Sequence, residues 1–282
     1  MADSANPPPR TLFNRELMLR VASALVMAPL AIAAAYAGGW PFAVFWGVAA
    51  AVILWEWTEL VAAGERRSLL AVGMLAIALA VALAQTGRFI GGALVILIGP
   101  LAGAVFAPAG RRGWIITGMA YAGALAVAAV ILRSDEDYGL AAIMLLFAVV
   151  WATDIAAYFT GRLIGGPKVL PAVSPKKTWS GAIGGLIAAL AAAAAIVHVF
   201  ALPDPRGVLA VALVLSVVSQ AGDFFESALK RRFDVKDASQ LIPGHGGLLD
   251  RLDGFVPAVI LAVLIGLLRS DFEAPGAGLL VW

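Results

Sequence analysis

The sequence contains no cysteine and only two histidines among its 282 residues. The lack of cysteine excludes disulfides, thiolate catalysis and cysteine-ligated zinc. Charged residues are scarce as well, at 13% of the chain against about a quarter in an average soluble domain. The net charge of +2 is too small to indicate nucleic-acid binding. The composition therefore differs from that of a soluble enzyme and from that of a nucleic-acid-binding protein.

Apolar residues make up 62% of the chain, with a mean hydropathy of +0.93. This composition predicts an all-α, polytopic membrane protein with about nine transmembrane helices. We expect a cytoplasmic tail at 1–20 and one transmembrane domain at 21–282, whose catalytic half is about 140–268. The third and eighth segments are short, and the ninth includes Asp250 and Asp253 in its first turns. The predicted segments are 21–37, 41–61, 69–84, 89–107, 114–132, 140–163, 179–200, 208–222 and 249–268.

The distribution of basic residues between the connecting loops predicts the orientation. If the N-terminus is cytoplasmic, 16 of the 20 lysines and arginines lie on the cytoplasmic side. Such an excess is typical of cytoplasmic loops. Nine spans then place the C-terminus on the opposite side of the membrane.

Asp154 lies within the sixth segment, eight residues before Arg162. That spacing puts the carboxylate roughly 12 Å inside the helix end. A charge at this depth is costly and is by default a candidate functional residue. The alternative is a polar packing residue that is hydrogen-bonded to another helix. Glu56 and Glu59, near the inner end of the second segment, are explained instead as solvated acids in an interfacial tryptophan belt.

Residues 220–254 hold an unusual density of charge for this chain. Asp223, Glu226 and Ser227 share one helical face, because they are three and four residues apart. Asp250 and Asp253 form a similar pair at the start of the ninth segment. In the predicted orientation both clusters lie at the same cytoplasmic depth, and their oxygen ligands suit Mg²⁺ better than Zn²⁺.

A salt-bridged loop would also explain the acids at the start of the ninth segment. In that interpretation Asp250 and Asp253 pair with Arg251 or Lys236 and hold no metal. The sequence leaves this alternative open.

The loop after the sixth segment predicts an anion site. Ser174 and Pro175 have the pattern of an N-cap followed by proline at the first helical position. Lys176 and Lys177 then fall in the first turn, where two cations and free N–H groups could bind an anion. The alternative is a pair of lysines that reach to the membrane interface.

A second loop surrounds His245 with glycines. Gly246 and Gly247 allow close backbone approach to a ligand. In this setting we interpret His245 as a contact to phosphate or to a nucleobase, in preference to a general base.

The stretch SALKRRFDVKDASQLIPGHGGLLDRLD, at 227–253, resembles the signature of the phosphatidate cytidylyltransferases. Its pattern is S-x-x-K-R, then K-D, then P-G-H-G-G-x-x-D-R-x-D. The QAGDFFES, SPKKTW and TDIAAYFTGRLIG segments are similar to family features as well. The strong resemblance covers 154–253.

The resemblance implies transfer of CMP from CTP to phosphatidate, giving CDP-diacylglycerol and pyrophosphate. It implies Mg²⁺ as cofactor and leaves a second cation open. The expected partners are CTP and membrane phosphatidate, without nucleic acid, and a homodimer is compatible with the sequence. The expected location is the bacterial inner membrane, with the active site facing the cytoplasm. The metal ligands would be Asp223, Asp250 and Asp253; the catalytic residues Asp223, Asp250, Lys230, Arg231, Lys236, Asp237 and Arg251; and the substrate-binding residues Lys176, Lys177, Ser174, Ser227, His245, Gly246, Gly247 and Asp154.

Two other functions fit parts of the sequence. A CTP-dependent lipid kinase would phosphorylate a polyprenol-type hydroxyl and would need a general base. A secondary transporter would use Asp154 as a coupling-ion site, but transporters bind near the bilayer midplane within internal repeats. Here the charges gather at one face, which favours the cytidylyltransferase.

Overall fold

The computed structural model describes residues 15–61, 66–242 and 246–282, with side chains from residue 25 onward. These residues form eleven helices and no β-sheet beyond isolated bridges, so the prediction of an all-α chain is confirmed. The helices are α1 (Arg15–Ala37), α2 (Gly39–Val61), α3 (Arg66–Gln85), α4 (Phe89–Val105), α5 (Arg112–Arg133), α6 (Gly139–Leu163), α7 (Trp179–Val199), α8 (Pro205–Arg232), α9 (Leu249–Leu252), α10 (Phe255–Arg269) and α11 (Pro275–Leu280).

Six of the described helices are long and apolar enough to cross a membrane: α2, α3, α5, α6, α7 and α8. Three further apolar stretches are shorter, namely Leu25–Ala37 within α1, and the helices α4 and α10. Helix α1 begins at Arg15, so the end of the expected N-terminal tail is helical.

Helices α5 and α6 supply much of the protein interior. Almost every residue of α5 from Ala122 to Leu132 is buried. Trp46 of α2 stacks on Phe255 of α10 with ring centroids 4.8 Å apart, and Phe147 of α6 packs against the same ring. This aromatic group joins α2 to α6, which carries Asp154, and to α10, which follows Asp253.

Helix α8 is much longer than the predicted eighth segment, 208–222. It begins at Pro205, where the Asp204 side chain accepts hydrogen bonds from the N–H groups of Arg206 and Gly207. It continues past Asp223 to Arg232 because the polar residues after Gly222 keep one face against the protein, with Glu226 and Leu229 buried. The three basic residues of its last turn favour a helix C-terminus.

The predicted ninth segment, 249–268, is divided into α9 and α10 at Asp253 and Gly254. Pro257 lies four residues after Asp253 and has no N–H to donate to the Asp253 carbonyl. Tyr121 of α5 donates its hydroxyl to that carbonyl instead, at 3.3 Å. Asp250 and Asp253 therefore belong to a short helix and a turn, and not to the first turns of one long helix as predicted.

The predicted helix start at Ser174 and Pro175 is wrong. Helix α7 begins at Trp179, and its N-cap is Thr178, whose hydroxyl accepts a hydrogen bond from the Gly181 N–H. The preceding residues pair with the chain after α6 instead: Val169 N–H donates to the Lys177 carbonyl, and Trp179 N–H donates to the Pro167 carbonyl. Lys176 and Lys177 thus lie in a loop.

Candidate active site

A cavity of about 700 Å³ lies between α6, α7 and α8 and the turn before α10. Its wall contains acidic and basic side chains from α6, the loop before α7, α8, α9 and the turn before α10, whereas α7 contributes Gly181 and Ala182. It brings together most of the residues that the sequence singled out. These are Asp154, Lys176, Lys177, Asp223, Ser227, Lys230, Asp237, Asp250, Arg251 and Asp253, and Glu226 joins them.

The remaining predicted site residues within the described part of the chain do not line this cavity. Arg231 donates from Nε to the Val173 carbonyl and so ties the end of α8 to the loop before α7. Ser174 and Lys236 lie in the two loops at the same end of the molecule. Gly246 and Gly247 lie behind the wall formed by Asp250, and His245 falls outside the described residues.

Lys177 and Asp223 form an ion pair across the cavity. The Lys177 Nζ lies 2.6 Å from Asp223 Oδ2 and 4.7 Å from the centre of the Phe224 ring. This pair joins the loop before α7 to α8. An ammonium group therefore lies beside the carboxylate that the sequence analysis predicted as a metal ligand.

Lys230 joins two further carboxylates. Its Nζ lies 2.6 Å from Glu226 Oε2, one turn earlier on α8, and 2.5 Å from Asp250 Oδ1. Glu226 is 2% exposed, and its other oxygen, Oε1, is buried without a hydrogen-bond partner among the described residues. The structure agrees in part with the alternative of a salt-bridged loop, because Asp250 forms an ion pair. The partner in this pair is Lys230 of α8, which the alternative did not name.

Asp250 uses its second oxygen to shape the loop before α9. Asp250 Oδ2 accepts hydrogen bonds from the N–H groups of Gly247 at 2.8 Å and Ala238 at 2.9 Å. Burial raises the pKa of Asp250, but its hydrogen bonds, including those from Lys230 and the Gly247 N–H, outweigh burial and lower that pKa. Asp250 is therefore an ionised carboxylate that connects the loop to α8.

Asp253 lies where α8 and the turn before α10 touch at the backbone. A Cβ on Gly222 would come within 2.3 Å of the Asp253 carbonyl oxygen, and one on Gly254 within 2.5 Å of Ser219 Oγ. Gly222 therefore leaves no room for a side chain, and a side chain at Gly254 would have to displace the Ser219 hydroxyl. Burial, together with the carboxylates of Asp223, Glu226 and Asp154, raises the pKa of Asp253 well above its usual value. The excess of negative charge at this point favours a cation.

The donor set of the cavity suits a hard cation. Carboxylate oxygens reach it from α6, α8 and the turn before α10, and oxygen ligands are those that Mg²⁺ prefers. In the part of the chain that the structure describes, no three acidic or histidine side chains form a preformed metal site. Mg²⁺ is usually held by one or two carboxylates and completes its shell with water and substrate phosphate, so the carboxylates of this cavity fit such an ion.

Glu56 is fully buried, and its interpretation as a solvated interfacial acid is wrong. Its carboxylate accepts hydrogen bonds from Ser239 Oγ and from the N–H groups of Leu248 and Leu249. Glu59, one turn later on α2, agrees with the interpretation because it is partly exposed and pairs with Arg66.

The profile of the cytidylyltransferase family matches residues 18–268, which include every residue of the cavity wall. The chain belongs to the cytidylyltransferase family. Phosphatidate cytidylyltransferases are among its close relatives. The protein of that name from Brucella suis biovar 1 (strain 1330) is 40% identical over 269 residues, covering 93% of this chain and 97% of the relative. That from Brucella abortus biovar 1 (strain 9-941) is 41% identical over 263 residues, covering 90% and 95%.

A more distant member, the phosphatidate cytidylyltransferase of Bacillus subtilis (strain 168), matches a smaller part of the chain. It is 46% identical over 126 residues, which are 44% of this chain and 47% of the relative. The predicted cytidylyltransferase family is therefore confirmed.

Two residues that contact the site region in this cytidylyltransferase were not found from the sequence. Glu56 carried the same signal as Asp154, a carboxylate inside an apolar segment, but the neighbouring tryptophans suggested an interfacial position. Tyr121 carried no signal, because its role depends on the break that Pro257 creates in a helix far along the chain.

Proposed function

We propose that this member of the cytidylyltransferase family transfers CMP from CTP to phosphatidate, giving CDP-diacylglycerol and pyrophosphate. The family membership and the relatives of nearly full length confirm the predicted function. The observation that carries the proposal is one cavity in which carboxylates and ammonium groups from several helices meet. Two anionic substrates need cations for binding, and a triphosphate with its metal needs carboxylates.

The reaction joins one oxygen of the lipid phosphate to the α-phosphorus of CTP. The bond between that phosphorus and the oxygen bridging to the β-phosphate breaks, and pyrophosphate leaves with the electron pair. A phosphate monoester has a second pKa of about 6, so the lipid phosphate is already a nucleophile at neutral pH. The protein therefore needs no strong general base, and catalysis rests on positioning and charge neutralisation.

Asp223, Asp250 and Asp253 would hold Mg²⁺ in this proposal, with Asp154 as a further ligand or orienting group. The bound ion would supply positive charge to the triphosphate and to the leaving pyrophosphate. Support comes from the position of these carboxylates on one cavity wall. Further support comes from Glu226 Oε1 beside them, which is buried and has no hydrogen-bond partner within the described part of the chain.

The basic residues of the cavity would bind the phosphates. Lys177 and Lys230 are held by carboxylates in the structure, and each would turn to a phosphate oxygen when a cation takes over its carboxylate. Lys176 and Arg251 line the same cavity, and so does the acidic Asp237. Lys236 and Arg231 would act from its edge, and Ser174, Ser227 and the Gly-rich loop with His245, Gly246 and Gly247 would contact substrate.

Labelled CTP distinguishes this function from that of a lipid kinase. We expect label from [α-³²P]CTP to enter lipid when phosphatidate is the acceptor, and label from [γ-³²P]CTP to appear in pyrophosphate. Diacylglycerol and polyprenol, which offer only a hydroxyl, are the matched control acceptors and are expected to remain unlabelled. Transfer of γ-label to any lipid would contradict the proposal and support the kinase.

We further propose nine spans, formed by α1 to α8 and α10, with the N-terminus and the cavity on the cytoplasmic side. The excess of basic residues in the loops of that side supports this orientation. Nine spans put the C-terminal residues after α10 outside. Because 54 curated relatives match and the named ones are bacterial, we assign the protein to a bacterial inner membrane.

The absence of cysteine makes the orientation directly measurable, because a single introduced thiol is the sole labelling site. We expect a membrane-impermeant maleimide to label Asp137→Cys, in the loop before α6, in intact spheroplasts. Asp234→Cys, in the loop after α8, is expected to react only after the membrane has been permeabilised. Both side chains are exposed, and the unsubstituted protein is the background control. The reverse labelling pattern would contradict the orientation.

A further inference from the structure

Glu56 joins two parts of the chain that are about 190 residues apart. It lies on α2, which contributes nothing to the cavity wall. Its Oε1 accepts hydrogen bonds from Ser239 Oγ at 2.6 Å and from the Leu248 N–H at 2.8 Å, and its Oε2 accepts from the Leu249 N–H at 2.6 Å. Both oxygens of a fully buried carboxylate are therefore used to hold one loop.

The loop held by Glu56 is the Gly-rich loop between α8 and α9. Ser239 lies near the middle of this loop and Leu248 at its end, so the carboxylate brings these two points of the loop together. Ser239 Oγ also accepts from the Leu241 N–H at 3.1 Å, which extends the network into the loop. Hydrogen bonds to an ionised acceptor are about twice as strong as neutral ones, so this anchor is worth more than three ordinary contacts.

Gly247 packs closely against the same carboxylate. A Cβ at this position would lie 2.6 Å from Glu56 Oε1, so any other residue would displace the anchor. The opposite side of the Gly247 peptide is held by Asp250, which accepts its N–H at 2.8 Å. The loop is thus clamped between two carboxylates, of which Asp250 faces the cavity and Glu56 lies behind it.

We propose that Glu56 is a positioning residue that sets the Gly-rich loop for CTP binding. The inference rests on the proposed function, in which that loop contacts the nucleotide. Glu56 itself does not line the cavity, so it acts through Leu248, Leu249 and Ser239. Because phosphatidate is expected to meet the basic residues of the other loop and of α8, loss of the anchor affects one substrate more than the other.

Glu56→Gln is the decisive variant, because it preserves size and removes the second acceptor. Whichever way the amide is turned, its NH₂ group faces a backbone N–H. We expect faster hydrogen exchange at the amides of residues 246–252, and a KM for CTP that is about tenfold to a hundredfold higher. The kcat at saturating CTP and the KM for phosphatidate are expected to change less than about twofold. Ser239→Ala, which removes one hydrogen bond of the three, is expected to give a smaller rise in the KM for CTP.

Glu59→Gln is the matched control, since it makes the same change one turn away on α2 at an exposed ion pair. It is expected to match the wild type in exchange and in both KM values. Unchanged exchange in Glu56→Gln would refute the anchor. Equal rises of both KM values, or a fall in kcat alone, would refute the link to CTP.

Failure of the proposed function is measured separately. If the wild type makes no CDP-diacylglycerol, that function is wrong. The dissociation constant for CTP, measured by equilibrium titration in the absence of lipid, is then compared in place of the KM. Weaker CTP binding by Glu56→Gln than by Glu59→Gln would then support the inference. Equal binding, or no binding of CTP to the wild type, would overturn it.

Discussion

Replacing Asp223 by Asn is expected to lower the rate of CDP-diacylglycerol formation about 10³-fold, because a charge that is preorganised at the reacting phosphates is lost. The carboxylate stands on α8 in the cavity wall, 2.6 Å from Lys177 Nζ. Asn has the same shape but can neither hold a metal ion as strongly nor orient the ammonium group. Pyrophosphate release by purified protein with CTP, Mg²⁺ and phosphatidate is the measurement.

The fold is expected to survive this change. Asp223 is partly exposed to the cavity, and its described partner is one lysine that is itself one-third exposed. A pair of this kind contributes little to stability, so the melting temperature should remain near that of the wild type. Asp137→Asn, at an exposed loop position, is the matched control. Activity of Asp223→Asn within about tenfold of that control would contradict the assignment of Asp223.

Replacing Asp250 by Asn is expected to lower both activity and stability. Asp250 holds Lys230 with one oxygen and the N–H groups of Ala238 and Gly247 with the other. The amide of Asn can replace one of these acceptors, but not both. We expect activity to fall about 10²-fold to 10³-fold and the free energy of unfolding to fall by about 2 kcal/mol. Activity assays and thermal denaturation in detergent measure the two effects.

Asp234→Asn is the control for this second change. Asp234 is exposed in the loop after α8 and has a positive φ of 54°, which Asn adopts readily. Its activity and melting temperature are expected to equal those of the wild type. If Asp250→Asn has the same melting temperature as this control but is inactive, Asp250 acts in catalysis alone, and its role in holding the loop is refuted.

The fold class and most of the charged residues in the cavity wall could be predicted because both depend on local patterns. The apolar segments gave the helices, and Asp154, Asp223 and Asp250 were conspicuous as acids among apolar residues. The sequence could not show which acidic and basic side chains form ion pairs with each other. Whether Lys177 would meet Asp223, or Lys230 would meet Asp250, depends on how α6, α7 and α8 pack, and no spacing along the chain encodes that.

The errors at helix ends have a common cause. Ser174 and Pro175 have the composition of a helix start, but pairing of residues 167–169 with 177–179 delays the helix to Trp179. The division at Asp253 required both Pro257 and a hydroxyl from α5 to receive the free carbonyl. In each case hydrogen bonding to another segment, nearby for α7 and distant for α10, outweighed the local propensity.

The close approach at Gly222 and Gly254 limits how this protein can move during a reaction cycle. Because α8 touches the turn before α10 at the backbone, the spacing between Asp223 and Asp253 is fixed by the main chain and does not depend on side-chain contacts. The two carboxylates are therefore expected to keep the same separation with and without bound substrate.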